Sequence, residues 1–311
     1  MLYYDGEDNE AMQKRLTEMS YTSDLTDKEW SIVEPLLLEY LLGKKRTCPL
    51  KWSHREIFNA VLYQLKNGCN WKDLPKDFPP YSTVYWHYKQ WRESGLIEQL
   101  LTHLHEELRR QVKKNPQWTT LLLIDSQAVK NTCNAGVETK GYCFYKSTNG
   151  IKRHLTVDSL GFPIFTHCTK ANISDDKGLI EMLIENIDYF KTRPLDLPKL
   201  TILLDNGYHP DTITKQLVNV YPEIMDKIQF ELSPKPSKQE KVAQGKTGFV
   251  PVKARWVVER SNAWVERCKS LVKNFEHNLF NANQKLKLCF VRLLFKRLAT
   301  FYPPPILSEI K

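Results

Sequence analysis

The sequence predicts an α/β protein in which a small all-helical domain precedes a mixed sheet with flanking helices. Two patterns indicate this class. Apolar residues recur at helical spacing as far as Asn115-Pro116, and short continuous apolar runs, typical of buried strands, replace that spacing afterwards. A chain of 311 residues is long enough for two domains. We expect an acidic tail over 1–24, a helical domain over 25–115 and the sheet domain over 117–300.

The helical part opens with two capping boxes, in which a hydroxyl and a carboxylate three positions apart satisfy the first amides of a helix. Thr26 and Glu29 form the first box, and Ser53 and Glu56 form the second. Gly68 follows the second helix, where a glycine readily adopts the left-handed conformation that ends many helices. These signals predict two successive helices.

A third predicted helix carries a polar face that suits DNA. Its cap is Ser82 or Thr83, and the side away from its apolar stripe presents Trp86, Lys89 and Gln90. On a recognition helix, side chains of these types read base edges in the major groove. The alternative for the same face is packing against protein.

Short apolar runs define the second part of the chain. We predict strands over 121–124, 152–157, 163–169 and 200–204, with a possible fifth over 228–232. A turn at 158–161 joins the second and third strands into a hairpin, Ser174 or Asp175 caps the next helix, and a late helix spans about 254–275. Strand, hairpin, helix, strand and late helix is the order of a ribonuclease-H-like fold, in which the first and fourth strands are neighbours.

Three acidic residues lie where this fold would bring them together. Asp125 directly follows the first apolar run, Asp205 follows the fourth, and Glu259 lies in the late helix. An acid at the end of a buried run is costly unless it is paired or bound to a metal; a strand-end cap is the alternative. Converging carboxylates favour binding of Mg²⁺. Metal-dependent phosphoryl transfer uses two such ions, roughly 4 Å apart, which bind the attacking and leaving oxygens. Glu266 competes with Glu259, because both face the same side of that helix.

The charge distribution favours a polyanionic partner. The formal net charge is +9, and residues 1–24 hold six acids and two bases, a net of −4, so the remainder carries +13. A folded body this basic suggests nucleic acid, although solubility alone is the alternative. A glycine-containing loop over 233–254 is expected either to become ordered on DNA or to remain solvated, and its lysines are Lys235, Lys238, Lys241, Lys246 and Lys253.

Further basic residues flank the acidic ones. Lys152, Arg153 and His154 open the second predicted strand. Alternate positions of a strand face opposite sides, so the three cannot all contact DNA, but we expect at least one of them to contact a phosphate. Arg255 lies one helical turn before Glu259, where it either contacts the scissile phosphate as a fork donor or pairs with Glu259.

The cysteine pattern and the hydropathy of the sequence argue against several classes of protein. There are seven cysteines, an odd number without Cys-x-x-Cys spacing, which argues against a disulfide framework and a zinc ribbon. Free thiols indicate a reducing cytoplasm. No apolar segment follows a basic start, and no apolar run approaches about 18 residues, so we expect neither a signal peptide nor a membrane span.

A series of short motifs runs in order from Leu25 to Leu298. In the helical part they are Leu25-Thr26-Asp27-x-x-Trp30, Asn67-Gly68-Cys69-Asn70-Trp71-Lys72-Asp73-Leu74-Pro75, and Ser82-Thr83-Val84-Tyr85 with Trp91. In the sheet part they are Asp125-Ser126-Gln127, Gly150-x-Lys152-Arg153-His154-x-x-Val157-Asp158-x-x-Gly161, Asp205-Asn206-Gly207-Tyr208, and Arg255-Trp256-Val257-Val258-Glu259-Arg260-x-x-Ala263-Trp264. With these motifs the chain resembles the bacterial insertion-sequence transposases of the DDE type, specifically the group numbered four/five.

Two positions depart from the related signature Tyr-x-x-Arg-x-x-x-Glu-x6-Lys. Val252 stands at the tyrosine position and Glu266 at the lysine position, with the basic Arg267 one place further on. Arg255 and Glu259 fit the signature.

The resemblance implies an enzyme that binds the terminal inverted repeats of its element and catalyses DNA cleavage and strand transfer. It implies that Asp125, Asp205 and Glu259 are catalytic and hold two Mg²⁺ ions, with Mn²⁺ as a substitute. It also implies a homodimer on double-stranded DNA, in the bacterial cytoplasm at the nucleoid. Two alternatives remain: a ribonuclease-H-like nuclease without strand transfer, and a catalytically inactive DNA-binding regulator.

Overall fold

The computed structural model describes residues 21–42, 51–233 and 253–301. The helices are α1 (Asp27–Leu42), α2 (His54–Asn67), α3 (Tyr81–Glu93), α4 (Leu96–Gln111), α5 (Asp175–Glu185), α6 (Ile187–Thr192), α7 (Pro210–Val220), α8 (Lys253–Glu266), α9 (Lys269–Val272) and α10 (Leu279–Leu298). The strands are β1 (Leu121–Lys130), β2 (Tyr142–Cys143), β3 (Thr148–Val157), β4 (Pro163–Lys170), β5 (Leu200–Leu204) and β6 (Ile228–Leu232).

Helices α1 and α2 begin at the two predicted capping boxes. The Thr26 amide donates to the Glu29 carboxylate at 2.8 Å, and the side chains of Ser53 and Glu56 accept each other's backbone amides. Gly68 ends α2 in the left-handed conformation, with φ 69°. Both boxes and the glycine stop are therefore confirmed, because these signals act within a few residues of chain.

Helix α3 begins before its predicted caps. It starts at Tyr81, and no side chain caps its N-terminus, so the prediction of Ser82 or Thr83 as the cap is wrong. The carbonyl of Pro80 accepts the amides of Thr83 and Val84 and closes the first turn instead. The fixed φ of proline suits the entry to a helix.

The sheet has the strand order of a ribonuclease-H-like fold. β3 pairs antiparallel with β1 and with β4, while β5 pairs parallel with β1 and with β6. The order across the sheet is β4-β3-β1-β5-β6, and the short β2 lies beside the start of β3. The predicted neighbourhood of the first strand and the strand over 200–204 is confirmed.

Alternate residues of β1 enter two different apolar cores. Leu123 belongs to the core that contains the helices α1–α4, whereas Leu122 and Ile124 belong to the core beneath α5, α6 and α7. This alternation is the ordinary consequence of strand geometry when both faces of a sheet are covered. The sheet therefore lies between two packed layers.

The last helix completes the core of the helical part. Phe290 and Phe295 of α10 are fully buried in the same cluster as residues of α1–α4. The ring of Phe295 meets that of Phe58 edge-on, with 6.2 Å between centroids, and Arg292 pairs with Glu29 at 2.6 Å. Helices α1–α4 therefore share one core with a segment far away in sequence.

Candidate active site

Asp125 and Asp205 lie just beyond the residues that pair β1 with β5. The parallel register pairs Leu123 with Leu203, and each aspartate lies two positions further along its chain. β5 stops just before Asp205, whereas β1 continues to Lys130 because β3 pairs along its other side. Asp125 therefore lies within a strand, not at a strand end as the sequence predicted.

Helix α8 brings Glu259 to the same region. Asn262 of this helix donates its side-chain amide to Asp125 Oδ2 at 2.6 Å. Glu259 precedes Asn262 by three positions, so the two side chains share a helix face. Sequence reasoning missed Asn262, although its spacing from Glu259 is a signal that could have found it.

A second hydrogen bond joins β1 to α8. Gln127 Nε2 donates to Glu266 Oε1 at 3.2 Å. Gln127 lies two positions after Asp125 and therefore on the same face of the strand. The two acids of α8 differ in exposure, since Glu259 is half-buried and Glu266 is exposed.

The opposite face of β1 holds another carboxylate. The Ser126 hydroxyl donates to Asp175 at 2.8 Å, and the Lys152 ammonium lies 2.9 Å from the same side chain. Burial acts to raise the pKa of Asp175, but hydrogen bonds from Lys152 and Ser126 outweigh it, so this pKa is lowered. Ser174, and not Asp175, caps α5.

Lys152, Arg153 and His154 are all buried, which corrects the expectation that at least one of them contacts a DNA phosphate. The Lys152 ammonium also donates to the carbonyl of Ile173 at 2.7 Å, and Arg153 donates to the carbonyl of Leu271 at 2.7 Å. Alternation along β3 would expose one of these side chains only if one face of the strand were in contact with solvent. Residues 150–157 of β3 are buried on both faces.

The remaining predicted DNA contacts fall into two groups. On α3, Trp86 is 56% exposed, Lys89 is exposed near Glu93, and Gln90 is half-buried. The other group lies outside the described residues or, for Arg255, outside the described side chains; its members are Arg255, Lys235, Lys238, Lys241 and Lys246.

The aspartates create a negative environment at the sheet edge. Burial raises the pKa of Tyr208 well above its ordinary value, and the Asp175 and Asp125 carboxylates raise it further. Within residues 21–42, 51–233 and 253–301, no three acidic, histidine or cysteine side chains lie close enough together to hold a metal ion. The chemistry of the donor set nevertheless fits a hard cation, because carboxylate and amide oxygens are ligands that Mg²⁺ accepts.

Comparison with known families decides the class of this protein. Residues 117–294 match the family model described as "Transposase DDE domain". The chain belongs to the DDE transposases. Residues 25–101 of this transposase match a second model, described as "Putative transposase of IS4/5 family".

Two curated relatives of this transposase come from bacteria. The "Uncharacterized protein y4sN" of Sinorhizobium fredii is 26% identical over 106 residues, which cover 34% of this chain and 75% of the relative. The "Putative transposase for insertion sequence element IS402" of Burkholderia cepacia is 27% identical over 146 residues, 46% of this chain and 62% of the relative. Among solved structures, the Mos1 strand transfer complex aligns with 93% of this chain and 90% of its own at 13% identity and a TM-score of 0.22, which is too low to carry a structural argument.

Family membership establishes the reaction class. The protein is a transposase that acts on DNA, and it belongs to the enzymes that cleave DNA and transfer strands with the help of divalent metal ions. Among the described helices, none combines the length and the apolar character that a membrane crossing requires.

Proposed function

We propose that Asp125, Asp205 and Glu259 form the catalytic triad and together hold two Mg²⁺ ions, for which Mn²⁺ would substitute. The positions of the two aspartates carry this proposal, because Asp125 on β1 and Asp205 directly after β5 each lie two positions beyond the paired residues Leu123 and Leu203. When bound, the ions supply activation of the attacking oxygen and neutralisation of charge on the phosphate. The half-buried position of Glu259 supports it, rather than Glu266, as the third carboxylate.

The protein's own residues prepare this site for a substrate. Asn262 orients the carboxylate of Asp125 through a charge-assisted hydrogen bond. Asp205 accepts the amide of Asn206 at 2.6 Å, which fixes its carboxylate near the end of β5. Groups held in this way lose little freedom when a metal-bound phosphate arrives.

We infer that the helical domain over 25–115 recognises the terminal inverted repeats, and that the domain over 117–300 performs the chemistry. Exposure of Trp86 and Lys89 on one face of α3 supports a role in base reading. Gln90 would add a donor and an acceptor to that face. Substituting Lys89 and Gln90 with Ala in the full chain should weaken binding to the element's ends more than binding to random duplex.

The lysines over 233–254 and Arg255 are assigned to DNA contact on charge alone. Replacing Lys235, Lys238, Lys241 and Lys246 with Gln should lower both DNA affinity and its salt dependence, because each lost phosphate contact removes about 0.9 from the slope of log affinity against log salt. An unaltered salt slope would contradict this role. The proposed assembly is a homodimer on DNA at the nucleoid, which light scattering of the complex would test.

Cleavage of the flanking inverted repeats tests the proposed activity as a whole. Incubation with Mg²⁺ should release a 3′-hydroxyl at the element end and join it to target DNA, and no product should form without a divalent ion. Cleavage without joining would favour a ribonuclease-H-like nuclease. Specific binding with neither reaction, in Mg²⁺ or Mn²⁺, would favour an inactive DNA-binding regulator.

A further inference from the structure

Two cysteine side chains lie in contact where the turn between α8 and α9 packs on α10. The sulfur of Cys268, in that turn, lies 3.6 Å from the sulfur of Cys289 on α10. Both are free thiols. A disulfide bond is about 2.0 Å long, so the two sulfurs have to approach by roughly 1.5 Å to form one. The pair is therefore placed for a disulfide that the folded protein can form and break.

The two thiols differ in access and in acidity. Cys289 is buried, whereas Cys268 is half-buried. The hydrogen bond between them lowers the pKa of Cys268 against the effect of its partial burial, and the same bond and burial raise the pKa of Cys289. The positive charges of Lys66, Arg292 and Lys296 lower the pKa of Cys268 further. Because the thiolate is the nucleophile, Cys268 is the residue that attacks and Cys289 the one that resolves.

Both thiols line a cavity of about 250 Å³ with a positively charged rim. Part of its wall is apolar and includes Leu62 and Trp264. Among the described residues that line it, none is acidic, and four are cations: Lys66, Arg267, Arg292 and Lys296. These four residues are called the cavity cations below.

The cavity cations repel one another. Burial lowers the pKa of Lys296, and the charges of Arg292, Lys66 and Arg267 lower it further. Glu29 pairs with Arg292 at 2.6 Å, but it is one carboxylate against four positive charges. A negatively charged ligand would relieve this repulsion, and a cavity with charge of one sign concentrates ligands of the other.

We propose that Cys268 and Cys289 form a thiol–disulfide exchange site, and that its oxidant is a negatively charged low-molecular-weight disulfide attracted by the cavity cations. The Cys268 thiolate attacks one sulfur of the ligand, the S–S bond of the ligand breaks, and the first thiolate leaves and takes up a proton. The Cys289 thiol then loses its proton and attacks the Cys268 sulfur of the mixed disulfide. The second thiolate leaves with that proton. The protein loses two electrons, and the ligand is reduced to two thiols.

The thiol pair distinguishes this ligand from DNA as the occupant of the cavity. A DNA phosphate would use the four cations, but it has no chemistry with two thiols in contact. A small anionic disulfide uses both the charge and the sulfur atoms. The apolar wall would contact the methylene groups on either side of its S–S bond.

The test compares an anionic disulfide with a neutral one. Reduced full-length protein is mixed with oxidised glutathione or with hydroxyethyl disulfide, quenched with N-ethylmaleimide, and mapped by mass spectrometry. Cys133 is the internal control, because it is an exposed thiol whose sulfur contacts Asn134 and not another cysteine. Dividing the rate ratio of the two reagents at Cys268 by the ratio at Cys133 removes the difference between their leaving groups. We expect a Cys268–Cys289 disulfide and a corrected preference for oxidised glutathione of at least about 10-fold.

Variants assign the preference to the cavity. Lys66→Gln with Lys296→Gln should reduce the corrected preference to about one. Lys199→Gln with Lys215→Gln is the matched control, since both lysines are exposed and neither lines the cavity. Cys289→Ser should stop the reaction at a mixed disulfide on Cys268, which assigns the attacking and the resolving thiol.

Three outcomes would overturn the proposal. Wild-type protein that reacts at Cys133 but gives only a mixed disulfide at Cys268, or no product there, would exclude exchange within the pair. A corrected preference near one in the wild-type protein would exclude attraction by the cavity cations. Loss of DNA affinity in the Lys66→Gln, Lys296→Gln variant, with an unchanged preference for oxidised glutathione, would assign these cations to DNA instead.

Discussion

Asn262 and Asp125 lie 137 positions apart in the sequence, yet the amide of one and the carboxylate of the other approach to 2.6 Å. This contact fixes the distance between the helix that carries Glu259 and the strand that carries Asp125. It also determines which carboxylate oxygen of Asp125 remains directed to other partners. The proposed metal site therefore depends on the neutral side chain of Asn262 as well as on the carboxylates.

Removing this amide should weaken metal binding without affecting DNA binding. Asn262→Ala is expected to raise the Mg²⁺ concentration for half-maximal cleavage by about 10- to 100-fold, the usual cost of losing a side chain that orients a metal ligand. Mg²⁺ titration of the cleavage rate and of intrinsic fluorescence would measure it. Gln127→Ala, which removes the hydrogen bond from Gln127 to Glu266, should change the midpoint much less. Equal effects of both variants would contradict a specific role for Asn262.

Neutralising a proposed metal ligand should abolish cleavage and spare DNA binding. Asp125→Asn, Asp205→Asn and Glu259→Gln each keep the shape of the side chain but remove its charge. Cleavage and electrophoretic mobility shift assays would separate the two effects. Glu266→Gln is the control and should have a mild effect. A variant of the triad that cleaves at the wild-type rate would not be part of the site.

The buried pair of Arg109 and Asp158 should dominate the stability of the junction between α4 and β3. Arg109 lies 2.6 Å from the fully buried carboxylate of Asp158, which opens the predicted turn at 158–161. Arg109→Met removes the closest side-chain partner of that carboxylate, and the expected loss of unfolding free energy is about 3–5 kcal/mol. Arg110→Met removes an exposed arginine next to it and should cost about 1 kcal/mol or less. Urea denaturation of both variants would check the difference.

His154 should make the protein less stable in acid. Burial, reinforced by the charge of His167, lowers the pKa of His154 to about 3. The unfolded chain takes up a proton near pH 6.5, whereas the folded protein does not, so stability is lost as pH falls below about 6.5. His154→Gln, which can keep the bond to Thr169, should reduce the drop between neutral pH and about pH 5 by about 2 kcal/mol. An identical pH dependence in both proteins would contradict this assignment.

Sequence alone predicted the features that depend on nearby residues. The capping box at Ser53 and the strand over 200–204 were found because both signals are contained in a short window. The extension of β1 through Asp125 was missed because it depends on pairing with β3, which lies some 30 positions away. Burial of Lys152 and Arg153 was missed for a similar reason, since the groups that cover them come from other elements.

The helical part and α10 illustrate the same limit on a larger scale. The apolar stripes of α1–α4 predict helices but do not say what covers them. The covering helix contributes Arg292, which pairs with Glu29 across 263 positions. No local pattern could assign that partner. The boundary at residue 116 between the helical and sheet domains, which the sequence predicts from local patterns, stays a prediction.

Shared packing between α10 and helices α1–α4 has a consequence for synthesis of the protein. Translation proceeds from the N-terminus, so α1–α4 leave the ribosome long before the helix that covers Phe58. The core of these helices therefore stays incomplete until α10, at the end of the catalytic part, has been synthesised. Translation of an mRNA truncated before the α10 codons would then yield a protein whose α1–α4 helices expose an apolar face. Proteases would degrade such a fragment before it could compete for DNA ends. Limited proteolysis of stalled nascent chains should find α1–α4 protected only after α10 has emerged.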